Sequence, residues 1–187
     1  TLVGGTGNDI YFLDVSTDVV TENANEGTDT VNAGFTFTLS ANLEHLNLSG
    51  TAAINGTGNA LANSIVGNSG NNVITGLAGN DVLTGGAGAD SFVFSHFGAA
   101  NGLDHLQDFQ SGVDHLVFAG TDYGFAADHV LQASELTIGA AAVGNTAQFV
   151  FNDTTHTLYW DSNGALAGGL TAILTLDNAA TPSTADF

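Results

Sequence analysis

The chain has 187 residues, 43% of them hydrophobic, and a formal net charge of -19 with no Lys or Arg. That composition is ample for a core, but it repels nucleic acid and anionic membranes and offers no basic side chain to clamp a phosphate or an acidic polysaccharide. There is no Cys, so no disulfide supports the fold, and no apolar run approaches membrane-spanning length.

The length fits one or two small domains. Thr1-Leu2-Val3 leads straight into Gly4-Gly5-Thr6-Gly7-Asn8-Asp9-Ile10-Tyr11-Phe12, a turn and the start of a strand, with no signal-peptide pattern before it. The chain therefore reads as the C-terminal piece of something larger. Thr17-Asp18-Val19-Val20 and Gly27-Thr28-Asp29-Thr30-Val31 predict short turn-plus-strand units, and Phe35–Leu39 alternates as a half-buried strand does. Leu43, Leu46, Leu48 and Ile54 continue an apolar ladder. Asp9 and Asp29 are spaced either to share a cation or to cap two separate turns.

From Gly58 to Val93 the chain repeats in nines: Gly58–Val66, Gly67–Thr75, Gly76–Thr84 and Gly85–Val93. The first residue is always Gly, the sixth is Asn63, Asn72, Asp81 or Asp90, and the eighth is Ile65, Ile74, Leu83 or Phe92. Six residues suit a wide turn in which glycines admit positive φ and a close approach to an ion. Three remain for a short strand whose middle side chain points inward and must be apolar. Two nines make one coil, so Asn63 stacks beneath Asp81 and Asn72 beneath Asp90. Stacked carboxylates repel, and a chain without Lys or Arg must take its cation from solution. Calcium fits, since it accepts six to eight oxygens, carbonyls included.

Gly85-Gly86-Ala87-Gly88-Ala89-Asp90-Ser91-Phe92-Val93 matches Gly-Gly-x-Gly-x-Asp-x-apolar-x throughout and resembles the calcium-binding nonapeptide of RTX (repeats-in-toxin) proteins; Gly4–Phe12 is another copy. The resemblance implies an all-β parallel β-roll, with each calcium ion between stacked turns and held by side chains and alternate turn carbonyls. It implies one site from Asn68, Gly70 and Asn72 with Gly85, Ala87 and Asp90, the glycines Gly86 and Gly88 shaping that turn. A second would use Asn59, Leu61 and Asn63 with Gly76, Ala78 and Asp81. Leu61 and Leu77 depart from the pattern by replacing glycines, and the Gly58 unit is read as a coil that need not hold an ion. Asn55–Asn63 resembles the spacer arrays of large RTX-type surface proteins.

Asp104-His105-Leu106-Gln107-Asp108-Phe109, then Gly112-Val113-Asp114, resembles the segment that closes RTX β-rolls, with Leu106 where Ile is usual. Asp104 joins the candidate ligands. Asp108 is expected one coil after Asp90, sharing a terminal ion with it. Beyond residue 118 a small β-rich cap is expected, with a short helix over Ala126–Leu136. Ala147–Phe151 and Thr157–Trp160 predict a hairpin about Asn152-Asp153-Thr154-Thr155, Asp161–Gly164 a turn, and Leu170–Leu176 a strand. Thr157-Leu158-Tyr159-Trp160-Asp161 with Asn163-Gly164, and the ending Ala185-Asp186-Phe187, resemble serralysin-type C-terminal domains, whose end carries the type I secretion signal. The usual few further apolar residues are missing here.

No catalytic motif is present. There is neither His-Glu-x-x-His nor Gly-x-Ser-x-Gly. His45, His96, His105, His115, His129 and His156 lack paired ligand spacing and read as surface positions. Nothing places two opposed acids for glycoside hydrolysis, and Asp161 with Asn163 lacks the rest of a helix–loop–helix calcium loop.

The expected organisation is N-terminal irregular coils over 1–57, the β-roll and its closing segment over 58–118, and a cap with the secretion signal over 119–187. The expected function is a non-enzymatic calcium-binding structural and secretion module of a type I-secreted extracellular bacterial protein. Its partners are calcium and the type I secretion machinery, not nucleic acid. The alternatives are a self-associating surface-assembly element, meeting a cell-surface component, and a substrate-binding module of an extracellular enzyme.

Overall fold

A computed structural model describes residues 1–94, 102–125, 131–139, 146–163 and 169–187. The N-terminal strands are β1 (Ile10–Leu13), β2 (Thr30–Ala33), β3 (Phe37–Thr38), β4 (His45–Leu48) and β5 (Gly56–Thr57). The nonapeptide region supplies β6 (Ser64–Val66), β7 (Val73–Thr75), β8 (Val82–Thr84) and β9 (Ser91–Phe94). Then come β10 (Asp104–Leu106), β11 (His115–Phe118), β12 (Leu136–Ile138), β13 (Gln148–Asn152), β14 (Thr157–Asp161) and β15 (Leu170–Leu176).

Each Gly-rich turn sends the chain to the opposite wall of a flattened coil, so alternate strands collect in two sheets. One runs β1-β2-β4-β6-β8-β10 and the other β11-β9-β7-β5-β3, all neighbours parallel. Parallel neighbours need a long return connection; here the return is the other half of the same coil. Asn63 and Asp81, like Asn72 and Asp90, are 18 residues apart in chain and adjacent in space. Upstream the interval is 20 between Asp9 and Asp29 and 15 between Asp29 and Glu44. Downstream it lengthens to 23 from Asp81 to Asp104 and 24 from Asp90 to Asp114.

The core is a stack of inward side chains, one apolar residue from each of β6, β7, β8 and β10 and two from each of β1, β2, β4 and β9. In the first sheet Tyr11, Val31, Leu46, Ile65, Leu83, Leu106 and Leu176 are in register and buried. Opposite them run Gly56, Ile74, Phe92 and Leu116. The predicted inward residues Ile65, Ile74, Leu83 and Phe92 are fully buried. At 25 cal/mol per Å2, such a ladder gains only about 1.5–3 kcal/mol per side chain, and each coil contributes about two.

The cap continues the roll. Strand β15 pairs parallel with β10, β14 and β13 follow antiparallel, and β12 closes the sheet edge. One sheet therefore crosses from the roll into residues 119–187. The expected hairpin and the strand Leu170–Leu176 are present. The helix expected over Ala126–Leu136 lies partly outside the described residues; its described part is a turn, closed by Glu135 N–H donating to Gln132 O, that leads into β12. Within that turn Glu135 Oε2 accepts Gln132 N–H at 2.7 Å.

An aromatic cluster fills the junction. Phe118 stacks on Phe94 at 5.1 Å between ring centroids and meets Phe149 at 4.8 Å and Phe187 at 5.7 Å. Phe149 also packs on Trp160 at 5.0 Å. Asp186 locks the chain end beneath this cluster. Its buried carboxylate accepts Ser111 Oγ–H and Gly112 N–H, both at 2.7 Å, and Ser183 N–H. Burial opposes its ionisation, but these donors win and hold its pKa below the usual carboxylate range. Among the described residues no helix is long and apolar enough to cross a membrane.

Candidate metal centre

In each repeat the sixth residue folds back over the first. Asp81 Oδ1 accepts Asn63 N–H from the coil before, at 2.7 Å, while Asp81 Oδ2 is buried with no hydrogen-bond partner among the described residues. A Cβ on Gly76 would overlap that oxygen. Asp90 repeats the arrangement: Oδ1 accepts Asn72 N–H at 2.8 Å, Oδ2 is buried and without a partner, and a Cβ on Gly85 would fall on it. The carbonyls of Gly76 and Gly85 lie against Gly58 and Gly67 of the preceding coil. The first position is thus Gly because a carboxylate oxygen and a neighbouring coil take the space of any side chain.

The asparagines behave differently. Asn63 Oδ1 accepts Asn59 N–H at 2.7 Å and its amide donates to Leu43 O at 3.0 Å. Asn72 Oδ1 accepts Asn68 N–H at 2.9 Å, and its amide donates to Asn68 Oδ1 at 3.1 Å. Asn68 in turn donates to Ala52 O and accepts Gly70 N–H, while its own carbonyl accepts Ala87 N–H at 3.2 Å. Asparagine turns close on themselves; aspartate turns leave an oxygen over.

The electrostatics follow. Burial pushes the Asp81 carboxyl up to about 6, only partly offset by the Asn63 N–H. Burial also raises Asp90 against the Asn72 N–H, and the carboxylates of Asp114 and Asp108 raise it further. Hard, buried oxygens without partners, in a chain with no Lys or Arg, fit calcium.

The closing segment corrects the expected place of Asp108. The coil after Asp90 is longer than 18 residues, and the residue stacked on Asp90 is Asp114, whose Oδ1 accepts Asp90 N–H at 2.9 Å. Asp104 stacks on Asp81 in the same way at 3.0 Å. Asp108 instead accepts Gly85 N–H and Gly86 N–H, both at 2.8 Å, at the mouth of the Asp90 turn. Asp114, already part of the closing segment Gly112-Val113-Asp114 just before strand β11, takes the stacking place expected of Asp108.

Upstream, Asp29 Oδ1 accepts Asp9 N–H at 2.8 Å. Glu22, outside any repeat and not foreseen, joins them: ligand atoms of Asp9, Glu22 and Asp29 lie within 4.8 Å of one another. Of the histidines, His105 is half-exposed and contacts Asp177 Oδ1 at 3.0 Å, tying β10 to the end of β15; His96 and His129 lie outside the described residues.

The family model for the RTX calcium-binding nonapeptide repeat matches in 4 copies, at residues 1–20 and 57–92. The endo-1,3-1,4-beta-glycanase EglC of Rhizobium meliloti (strain 1021) is 44% identical over 132 residues, which are 70% of this chain and 27% of that protein. The endo-1,3-1,4-beta-glycanase ExsH of the same organism is 44% identical over 51 residues, 27% of this chain and 11% of that protein. The chain spans about a quarter of the length of the first of these relatives and less of the second. A solved structure, the AlgE6R3 subunit from the Azotobacter vinelandii mannuronan C5-epimerase, is 24% identical, covers 81% of each chain and has a TM-score of 0.29. Residues 1–20 and 57–92 are RTX calcium-binding nonapeptide repeats, built here as the turns and strands of a parallel β-roll.

Proposed function

We propose that this chain is the calcium-triggered folding and secretion module of a type I-secreted extracellular bacterial protein, and that its parent is a polysaccharide hydrolase with its catalytic residues elsewhere. The observation that carries the calcium reading is the pair of buried Oδ2 atoms of Asp81 and Asp90 that no group among the described residues satisfies. Their turns, with the carbonyls of Gly76, Ala78, Gly85 and Ala87, would hold the ions; Asp104, Asp108 and Asp114 would complete the last coil. The likeness to two glycanases supports the hydrolase parent.

Where calcium is scarce, mutual repulsion of these carboxylates keeps the chain open and able to thread through an exporter. Where calcium is millimolar, a site at 100 times its dissociation constant adds about 2.7 kcal/mol, so a few sites decide folding for a domain of roughly 5–15 kcal/mol. In chelator, far-UV circular dichroism should show coil, and millimolar calcium should restore strand, with magnesium a poor substitute because it demands tighter octahedral geometry. Equal strand content in chelator would overturn the reading. A passenger fused to residues 119–187 should be exported by a matching type I transporter, and less so without Ala185–Phe187.

A second reading, calcium-dependent assembly between copies, is favoured by one feature: β1 is an edge strand whose Ile10 and Phe12 are 63% and 77% exposed. Sedimentation in calcium separates the two, since only assembly gives a concentration-dependent polymer.

A further inference from the structure

Three acids converge at the N-terminal end of the roll for no reason that the nonapeptide pattern supplies. Asp9 is the sixth residue of its repeat and Asp29 precedes β2, but Glu22 comes from the connection between them. Glu22 is only 5% exposed and Asp29 only 1%. Glu22 Oε1 accepts the hydroxyl of Tyr11 and, at 3.1 Å, the N–H of Gly4. Glu22 Oε2 and Asp9 Oδ2 are both buried with no hydrogen-bond partner among the described residues. Asp29 is held from both sides, its Oδ1 by Asp9 N–H and its own N–H by Glu44 Oε2 at 2.8 Å.

Oxygens of three carboxylates within 4.8 Å of one another repel strongly when buried, and the chain has no Lys or Arg to set between them. We propose that Asp9, Glu22 and Asp29 form a three-carboxylate calcium site in which Glu22, from outside the repeats, joins the turn of Asp9, with Tyr11 and Gly4 fixing Glu22 in place. The choice of ion rests on the reading of the chain as a calcium module; the site itself rests on the unpartnered oxygens. Carrying more charge than the Asn–Asp pairs at 63/81 and 72/90, it binds calcium more tightly than either pair would alone, since calcium affinity rises with the charge of the ligand set.

Tyr11 makes the site separately observable. It touches Glu22, whereas the other tyrosines and the single Trp lie at or beyond residue 123. Terbium, a calcium-sized probe, bound here should emit when tyrosine is excited. The expected result is tyrosine-sensitised terbium emission that calcium displaces and that falls at least tenfold in Glu22→Gln, which keeps size and the Tyr11 contact. Asp153→Asn, in the exposed hairpin turn, should leave it unchanged, and circular dichroism in calcium should show Glu22→Gln folded. Emission in Glu22→Gln equal to the unmodified chain, or a calorimetric calcium count that does not fall, overturns the site. Failure here leaves the repeat turns untouched, because their test is Asp81→Asn and Asp90→Asn; loss of calcium-induced folding in those variants alongside an intact terbium signal separates the two.

Discussion

The roll and the cap share one sheet but are held by opposite means. From β6 to β8 the interior is one apolar side chain per strand, flanked by buried acids and stacked amides. In the cap, Phe118, Phe149, Trp160 and Phe187 pack ring on ring, and the buried acid Asp186 has its hydrogen bonds made by Ser111, Gly112 and Ser183. A region with a thin apolar interior and charged turns depends on what the solution supplies; a region filled by packed rings depends on it far less. The same chain can therefore contain a strongly conditional structure and a weakly conditional one.

The largest expected effect tests whether these are two units. Phe149→Ala removes the ring at the centre of the cap and should cost about 3–5 kcal/mol, read as a lower urea midpoint by Trp160 emission in saturating calcium. The calcium concentration at half-folding of the roll should move far less. A calcium midpoint shifted by the whole of that energy would mean that β10–β15 pairing welds roll and cap into one cooperative body. Next, Asp81→Asn or Asp90→Asn should weaken calcium binding by about tenfold, which is roughly 1.4 kcal/mol, and leave the aromatic cluster intact. Combined with Asp90→Asn, both Asp114→Asn and Asp108→Asn should be less than additive, since each carboxylate bears on Asp90. Additive losses for Asp108 would leave it as the clamp on Gly85 and Gly86 alone.

Acid provides a smaller but more telling effect. The Asp81 carboxyl in the ion-free fold is raised from 3.8 to about 6, so the fold binds a proton more tightly than the open chain does. Its contribution to ion-free stability is complete below 3.8 and lost as pH rises through about 6. In chelator, lowering the pH from 7 to 5 should thus recover part of the strand signal, while in calcium the same change should weaken binding. A chelated chain that only loses structure on acidification would contradict this. The smallest effect is at Leu77, which holds φ +73 where the repeat pattern has Gly. Leu77→Gly should stabilise the calcium-bound roll by about 1 kcal/mol or less, seen as a small rise in melting temperature.

What was legible in the sequence was whatever repeats locally. The nines from Gly58 fixed both sheets, the inward residues and the stacking of Asn63 on Asp81, because a strand of three must alternate and a turn must return. The hairpin about Asn152–Thr155 was legible for the same reason. The stacking of Asp114 on Asp90 was not, because the closing coil is longer than those before it and a step of eighteen residues ends on Asp108. Glu22 was invisible because nothing in its own segment repeats; only the chain's return beside Asp9 brings it into place. The pairing of β15 with β10 joins residues some 70 positions apart, as in the Thr175–His105 contact, and no local pattern announces such a partner.

The direction of the ladder has a consequence of its own. Each acid accepts an N–H from the coil before it: Asp29 from Asp9, Asp81 from Asn63, Asp104 from Asp81. A coil is thus completed only by its successor, as in a one-dimensional array with nearest-neighbour coupling. Such an array grows from a seed, and the seed is the end already held by aromatic packing. Order should spread from the cap backward toward β1, and melt in reverse. Amide exchange would record it as a gradient, slowest near Leu106 and fastest near Ile10, turning the roll into a zipper with one fixed end.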